Sequence, residues 1–171
     1  MCDGNLARSP SAEFISRHRA GEGSPWSFTS CGARAVRSDR VMTDVANALG
    51  ELGVPSAGFH SRQATTSILR EATLILTADA RQNAWIVEET PGLFRRTYLI
   101  RQAARLLSDL PGGADPVAFL ERVKDRPRPD DDIDDPYRKG PEAARRAVRE
   151  IDEALAIILP AIGATGSAHS G

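Results

Sequence analysis

Apolar residues recur at helical spacing in two well-defined stretches. Between 41 and 52, Val41, Val45, Ala48, Leu49 and Leu52 share one face, and Gly53 follows as a stop signal. From 141 to 159 a longer face carries Ala144, Val148, Ile151, Leu155 and Ile158. Ser9-Pro10 pairs an N-cap residue with proline at the first helical position, which predicts a helix over 10–20, ended by Gly21 and Gly23. Residues 80–89 read as a helix that stops before Pro91, and 101–107 and 116–124 as two more. Leu74, Ile75 and Leu76 lie within a run, 73–77, that does not alternate, as suits a strand buried on both faces of a parallel sheet. Shorter strands are expected at 26–30 and 96–100. Residues 125–139 are rich in Pro, Asp and Arg and predict a loop, with Asp130, Asp131 and Asp132 repelling one another. Strand alternating with helix gives an open parallel α/β sheet flanked by helices. One domain over 1–162 and a small, polar, disordered tail over 163–171 complete the expectation.

Composition narrows the function classes. A chain of 171 residues, 41% apolar, is long enough for a self-sufficient core, and with only 5% aromatics that core must be largely aliphatic. Lys+Arg 22 against Asp+Glu 23 leaves a formal charge of −1, without the basic footprint of a nucleic-acid binder. Two cysteines, Cys2 and Cys31, do not make a disulfide scaffold. Charges at Asp3, Arg8, Glu13, Arg17 and Arg19 break up any secretory leader, and the most apolar run, 154–161, is too short to span a bilayer. A cytoplasmic protein with no membrane partner is expected.

The chemistry concentrates at the start of the chain. In Cys2-Asp3-Gly4-Asn5-Leu6-Ala7-Arg8-Ser9, five residues separate a cysteine from an arginine. Five residues can curl so that successive backbone N–H groups point into one concavity, an anion nest. Arg8 can close that nest and grip two phosphate oxygens at once. The helix beginning at Pro10 aims its positive end at the same point. These features favour a thiolate at Cys2, a nucleophile for phosphoryl transfer, with the Ser9 hydroxyl placed to donate to it. Such a reaction also needs an acid to protonate the leaving oxygen. Asp130, Asp131, Asp132, Asp134 and Asp135 are candidates, and only Asp135 precedes a proline that fixes its backbone. Thiolate, arginine and nest supply nucleophile and electrostatics, so neither metal nor cofactor is expected.

The run from Cys2 through Glu13 resembles the low-molecular-weight protein tyrosine phosphatase family. The likeness continues in Ser30-Cys31-Gly32-Ala33, in His60-Ser61-Arg62-Gln63, in the stretch ending at Asp79 and in Asp135-Pro136-Tyr137. The resemblance implies a flavodoxin-like phosphatase fold and a phosphocysteine mechanism. Cys2 would be the nucleophile, Arg8 the phosphate clamp and Asp135 the general acid, then base. The amides of Asp3, Gly4, Asn5, Leu6, Ala7 and Ser9 would hold phosphate oxygens. Asn5, Ser9 and His60 would keep the loop curled, and Tyr137 would flank the pocket. The implied substrates are phosphotyrosine proteins or small aryl phosphates. The sequence leaves the oligomeric state open.

Several departures accompany the likeness. The family carries an apolar strand just ahead of its cysteine, and here only Met1 precedes Cys2. The expectation is therefore a sheet lacking its first, central strand, and a chain that folds poorly or is inactive as written while an upstream extension is active. Ala7 replaces a second cysteine, Arg138 replaces a second aromatic residue, and Asp3 brings a negative charge to the cradle unless its carboxylate turns outward. Two other readings stand beside the enzyme. One is a catalytically inactive relative serving as a binding module. The other is a thiol-dependent arsenate reductase, which would need cysteines downstream of the loop, and none follows Cys31.

Overall fold

A computed structural model describes residues 1–123 and 125–165. Seven helices surround a small parallel sheet among these residues. They are α1 (Arg8–Ala20), α2 (Thr43–Glu51), α3 (Thr66–Glu71), α4 (Ala80–Glu89), α5 (Ile100–Leu107), α6 (Pro116–Arg122) and α7 (Pro141–Ala161). Strands β1 (Ile75–Thr77) and β2 (Thr97–Leu99) pair in parallel, Ile75 opposite Thr97, with α4 as the crossover between them. The expected α/β architecture is present. Helix α3 was not foreseen, because six residues are too few for an apolar period to show. Its start is fixed by Thr65, whose hydroxyl accepts the Ile68 N–H at 3.3 Å.

Period-two alternation along β1 divides the core. Ile75 faces one way with Leu69, Ile86, Leu93 and Cys31, while Leu74 and Leu76 face the larger cluster. That larger cluster is built on α7, which buries Ala144, Val148, Ile151, Leu155 and Ile158 against α1, α2 and α5. Aliphatic residues dominate both clusters, as the low aromatic content requires.

The sheet continues beyond β1 as single backbone contacts. Ala78 N–H donates to the Met1 carbonyl at 3.0 Å and the Met1 amine to the Leu76 carbonyl. Cys2 then bridges to Gly32, and Gly32 to Gln63, both in parallel sense. The spatial order is thus β2, β1, residues 1–2, residues 31–33, residues 62–64. The strand expected at 26–30 does not form. Between residues 26–30 and Leu74, Ile75 and Leu76 lies a cavity of about 500 Å³, so residues 26–30 find no neighbour with which to build a ladder. A smaller difference concerns the tail. Gly163 and Ala164 donate to the carbonyls of Pro160 and Leu159, and Ala164 is buried, so the ordered body continues through the start of the expected tail. Residues 166–171 lie outside the described residues. No described helix is long and apolar enough to cross a bilayer.

Candidate active site

Residues 2–9 curl at the C-terminal edge of the sheet, the edge where open α/β folds place ligands. Their carbonyls turn outward. Those of Cys2, Asp3, Gly4 and Leu6 accept N–H groups from Ala33, Arg34, Val36 and Met42, each at 3.0 Å. No N–H of residues 3–9 donates to an acceptor among the described residues. Asn5 makes the curl possible by adopting a left-handed φ of 54°, which reverses the direction of the next amide. Gly4 needs no such conformation. The glycine on which the loop depends is Gly32: a side-chain Cβ there would collide with the Asp3 carbonyl oxygen and lie 2.9 Å from the Asn5 nitrogen.

Side chains lock this shape. The fully buried Asn5 uses its whole amide: Nδ2 donates to the Ser9 and Ser30 hydroxyls, both at 2.9 Å, and Oδ1 accepts the Arg62 N–H at 2.7 Å. Ser30 in turn donates to Glu13 Oε2 at 2.6 Å, and the Arg62 guanidinium holds the Ser30 carbonyl. Ser9 Oγ lies 2.9 Å from Cys2 Sγ. Because Asn5 donates to Ser9 Oγ, the hydroxyl proton is left to the sulfur or to the Cys31 carbonyl, which lies farther off at 3.3 Å. His60 does not join this network. It is exposed, and Arg62 meets the loop instead, touching Asn5 and Ser30, while Ser61 Oγ accepts the Ser38 N–H.

Arg8 is almost completely buried and is held by three acceptors. Nη1 donates to Asp79 Oδ2 and to the Ile133 carbonyl, both at 2.8 Å, and Nη2 donates to Asp135 Oδ2 at 3.0 Å. Its Nε has no partner, one of two such buried side-chain atoms among the described residues. An orphaned donor on a buried cation is costly unless a ligand satisfies it. Asp79 sits at the end of β1 and caps α4 through the N–H groups of Arg81 and Gln82. Burial alone would raise the Asp79 carboxyl, but hydrogen bonds from Arg8, Gln82 and Arg81 outweigh it and hold the group below the usual carboxylate range.

The acidic loop is anchored rather than self-repelling. Buried Asp131 accepts from Arg105 at 2.8 Å, Asp132 caps the Ala80 N–H at 2.8 Å, and Ile133 N–H donates to the Ala78 carbonyl at 2.9 Å. These ties bring Asp135 to Arg8. Tyr137 follows, about half exposed, with its N–H on Asp135 Oδ1 at 3.1 Å. The carboxylate of Asp3 turns outward and pairs with Arg34 at 3.0 Å, so it leaves the cradle to its own amide. Cys31 is the second buried thiol, and burial pushes its pKa up. Sequence reasoning undervalued Asp79, Gly32, Ser30 and Glu13. The signal for the first lay in its place directly after an apolar strand.

The family model described as low molecular weight phosphotyrosine protein phosphatase matches residues 1–167. Several solved structures share the fold at a TM-score of 0.73. The low molecular weight protein tyrosine phosphatase from T. tengcongensis is 20% identical, with 93% of this chain and 94% of that one covered. The amsI tyrosine phosphatase of Erwinia amylovora is 19% identical over 94% and 88%. The YwlE arginine phosphatase of Geobacillus stearothermophilus is 22% identical over 95% and 89%. No curated protein sequence matches the chain. The structures speak to the fold alone, and the family model, which spans nearly every residue, speaks to descent. The chain therefore belongs to the low molecular weight protein tyrosine phosphatases, a family that works through a cysteine nucleophile.

Proposed function

We propose that this chain hydrolyses aryl phosphomonoesters, phosphotyrosine in proteins above all, through a phosphocysteine at Cys2. The observation that carries the reading is the set of inward amides of residues 3–9, left without acceptors beneath a buried arginine whose Nε is also unmatched. A tetrahedral oxyanion satisfies all of these donors at once.

In the first step the Cys2 thiolate attacks phosphorus and the P–O bond to the phenol breaks. Asp135, protonated, gives its proton to the departing oxygen. The Ser9 hydroxyl, fixed by Asn5, donates to the thiolate before attack and to the sulfur as it later leaves. Arg8 stays in place because Asp79 and the Ile133 carbonyl hold Nη1, which leaves Nε and the outer hydrogen of Nη2 for phosphate oxygens. In the second step Asp135, now a carboxylate, takes a proton from water. That water attacks phosphorus, the S–P bond breaks, and inorganic phosphate leaves.

Hydrolysis of p-nitrophenyl phosphate tests the reading. Cys2→Ser should lower turnover by at least about 10³-fold. Phosphate binding by calorimetry should survive in that variant, since the amides and Arg8 remain. A wild-type chain that binds phosphate without turnover would instead be a binding module. Arsenate reduction dependent on an added thiol would favour the reductase.

A further inference from the structure

Outside glycine, only Asn5 and Arg138 among the described residues have a positive φ, 54° and 59°. For Asn5 the strain shapes the catalytic loop. Arg138 occupies the third position of a turn closed by the Lys139 N–H on the Pro136 carbonyl at 3.0 Å, where glycine or asparagine is normally favoured. The turn places its guanidinium 5.1 Å from the centre of the Tyr137 ring, and that ring is 49% exposed. Tyr137 is tied to Asp135, and Asp135 to Arg8, so this stacked pair stands at the outer edge of the phosphate site.

Arg138 also stands apart from its neighbours in charge. Asp131 is engaged by Arg105, Asp132 by the Ala80 amide and Asp135 by Arg8. Across the opening Asp3 is paired with Arg34, and Asp79 holds Arg81. Asp130 and Asp134 are exposed, yet neither lies within ion-pair distance of Arg138, which has no carboxylate partner among the described residues. A long cation is thus held in a disfavoured backbone conformation, stacked on an exposed ring, and left unpaired beside an acidic loop.

We infer that Arg138 selects substrates with a second anionic group close to the phosphate, such as phosphotyrosine flanked by glutamate or aspartate. The inference rests on the phosphatase reading above. A guanidinium already stacked on Tyr137 loses little freedom when it meets a carboxylate, and its planar fork accepts one in bidentate fashion. The phosphate fills the cradle, the phenyl ring lies beside Tyr137, and the neighbouring acid reaches Arg138.

Two phosphotyrosine peptides that differ only in glutamate or lysine flanks provide the test. The ratio of their kcat/KM values is measured for the wild type, R138K, R138G and R138E. The wild type should favour the acidic peptide roughly two- to fivefold at low salt, the range for an exposed pair, and lose the preference at high salt. R138K should keep part of it, R138G should bring the ratio near one, and R138E should invert it. Glycine relaxes the turn, so misfolding does not cloud that variant. Equilibrium binding of both peptides to the Cys2→Ser chain should show the same ordering without turnover. A ratio unchanged in R138E, or a wild-type preference for the lysine peptide, overturns the inference and leaves the phosphatase reading intact. Absence of both turnover and phosphopeptide binding in every form overturns the phosphatase reading, and this inference with it.

Discussion

Arg8 draws its usefulness from what already holds it. A guanidinium free to rotate would lose much of its freedom on binding phosphate. Here Asp79 and the Ile133 carbonyl fix one nitrogen in advance. Asp79 accordingly acts as a positioning residue, and its removal leaves a buried cation short of a partner. Asp79→Ala should cost about 3 kcal/mol of stability at pH 7, the lower range for breaking a buried pair, and reduce kcat/KM through a misplaced Arg8. The folded-state pKa of Asp79 is depressed, so its stabilisation is present above the ordinary carboxylate range near 4 and fades as pH falls through the lower folded value. Urea unfolding of the wild type and Asp79→Asn should therefore converge as pH falls below the ordinary carboxylate range. A gap that stays constant with pH would contradict this account. The grouping of Cys2, Asn5, Arg8 and Ser9 was legible in the sequence because eight consecutive positions carry their own geometry. The loop-supporting part expected of His60 was misjudged, and the hold of Asp79 on Arg8 was not foreseen, because both depend on which side chain of a distant segment faces the loop.

At the scale of elements, the catalytic loop depends on a second segment. Ala33, Arg34, Val36 and Met42 donate their N–H groups to the outward carbonyls of Cys2, Asp3, Gly4 and Leu6, and the two segments approach so closely because Gly32 has no side chain. Gly32→Ala forces either the Asp3 carbonyl or Asn5 to move. We expect a loss of about 1–3 kcal/mol in stability, as for other overpacked sites. Turnover should fall by a larger factor, on the order of 10²-fold, because the donors shift away from the oxyanion. Thermal melting and p-nitrophenyl phosphate kinetics on one preparation check both. A variant with normal kcat/KM would show that the loop does not rely on this contact. Every helix but α3 was legible from spacing and caps, with α4 matching its expected bounds, since an apolar stripe is a local signal. The strand expected at 26–30 was not, because a strand exists only with a neighbour, and the neighbouring space is the cavity.

The whole molecule combines a well-filled helical side with an open one. The core built on α7 is tightly buried, while the cavity of about 500 Å³ runs between Trp26, Phe28, Leu74 and Leu155 close behind the catalytic loop. Its lining is mixed, with Glu13, Ser30 and Arg62 beside the apolar residues, and its apolar part predicts that 8-anilino-1-naphthalenesulfonate binds the folded chain and quenches Trp26, with the quenching lost in Trp26→Phe. No dye binding below the unfolding transition would argue that the space is closed in solution. Fold class was legible because alternation of strand and helix constrains topology, whereas the cavity follows from three-dimensional pairing that no linear pattern records. The central claim is that the curled amides and Arg8 hold phosphate over a nucleophilic Cys2. Rapid acid quench of Asp135→Ala with p-nitrophenyl phosphate, followed by peptide mass spectrometry, tests it most directly. p-Nitrophenolate departs with little help from an acid, while water attack still lacks its base, so one phosphoryl group should accumulate on the peptide bearing Cys2. Turnover without any phosphoryl group on that cysteine, or persistence of turnover in Cys2→Ser, would contradict the account.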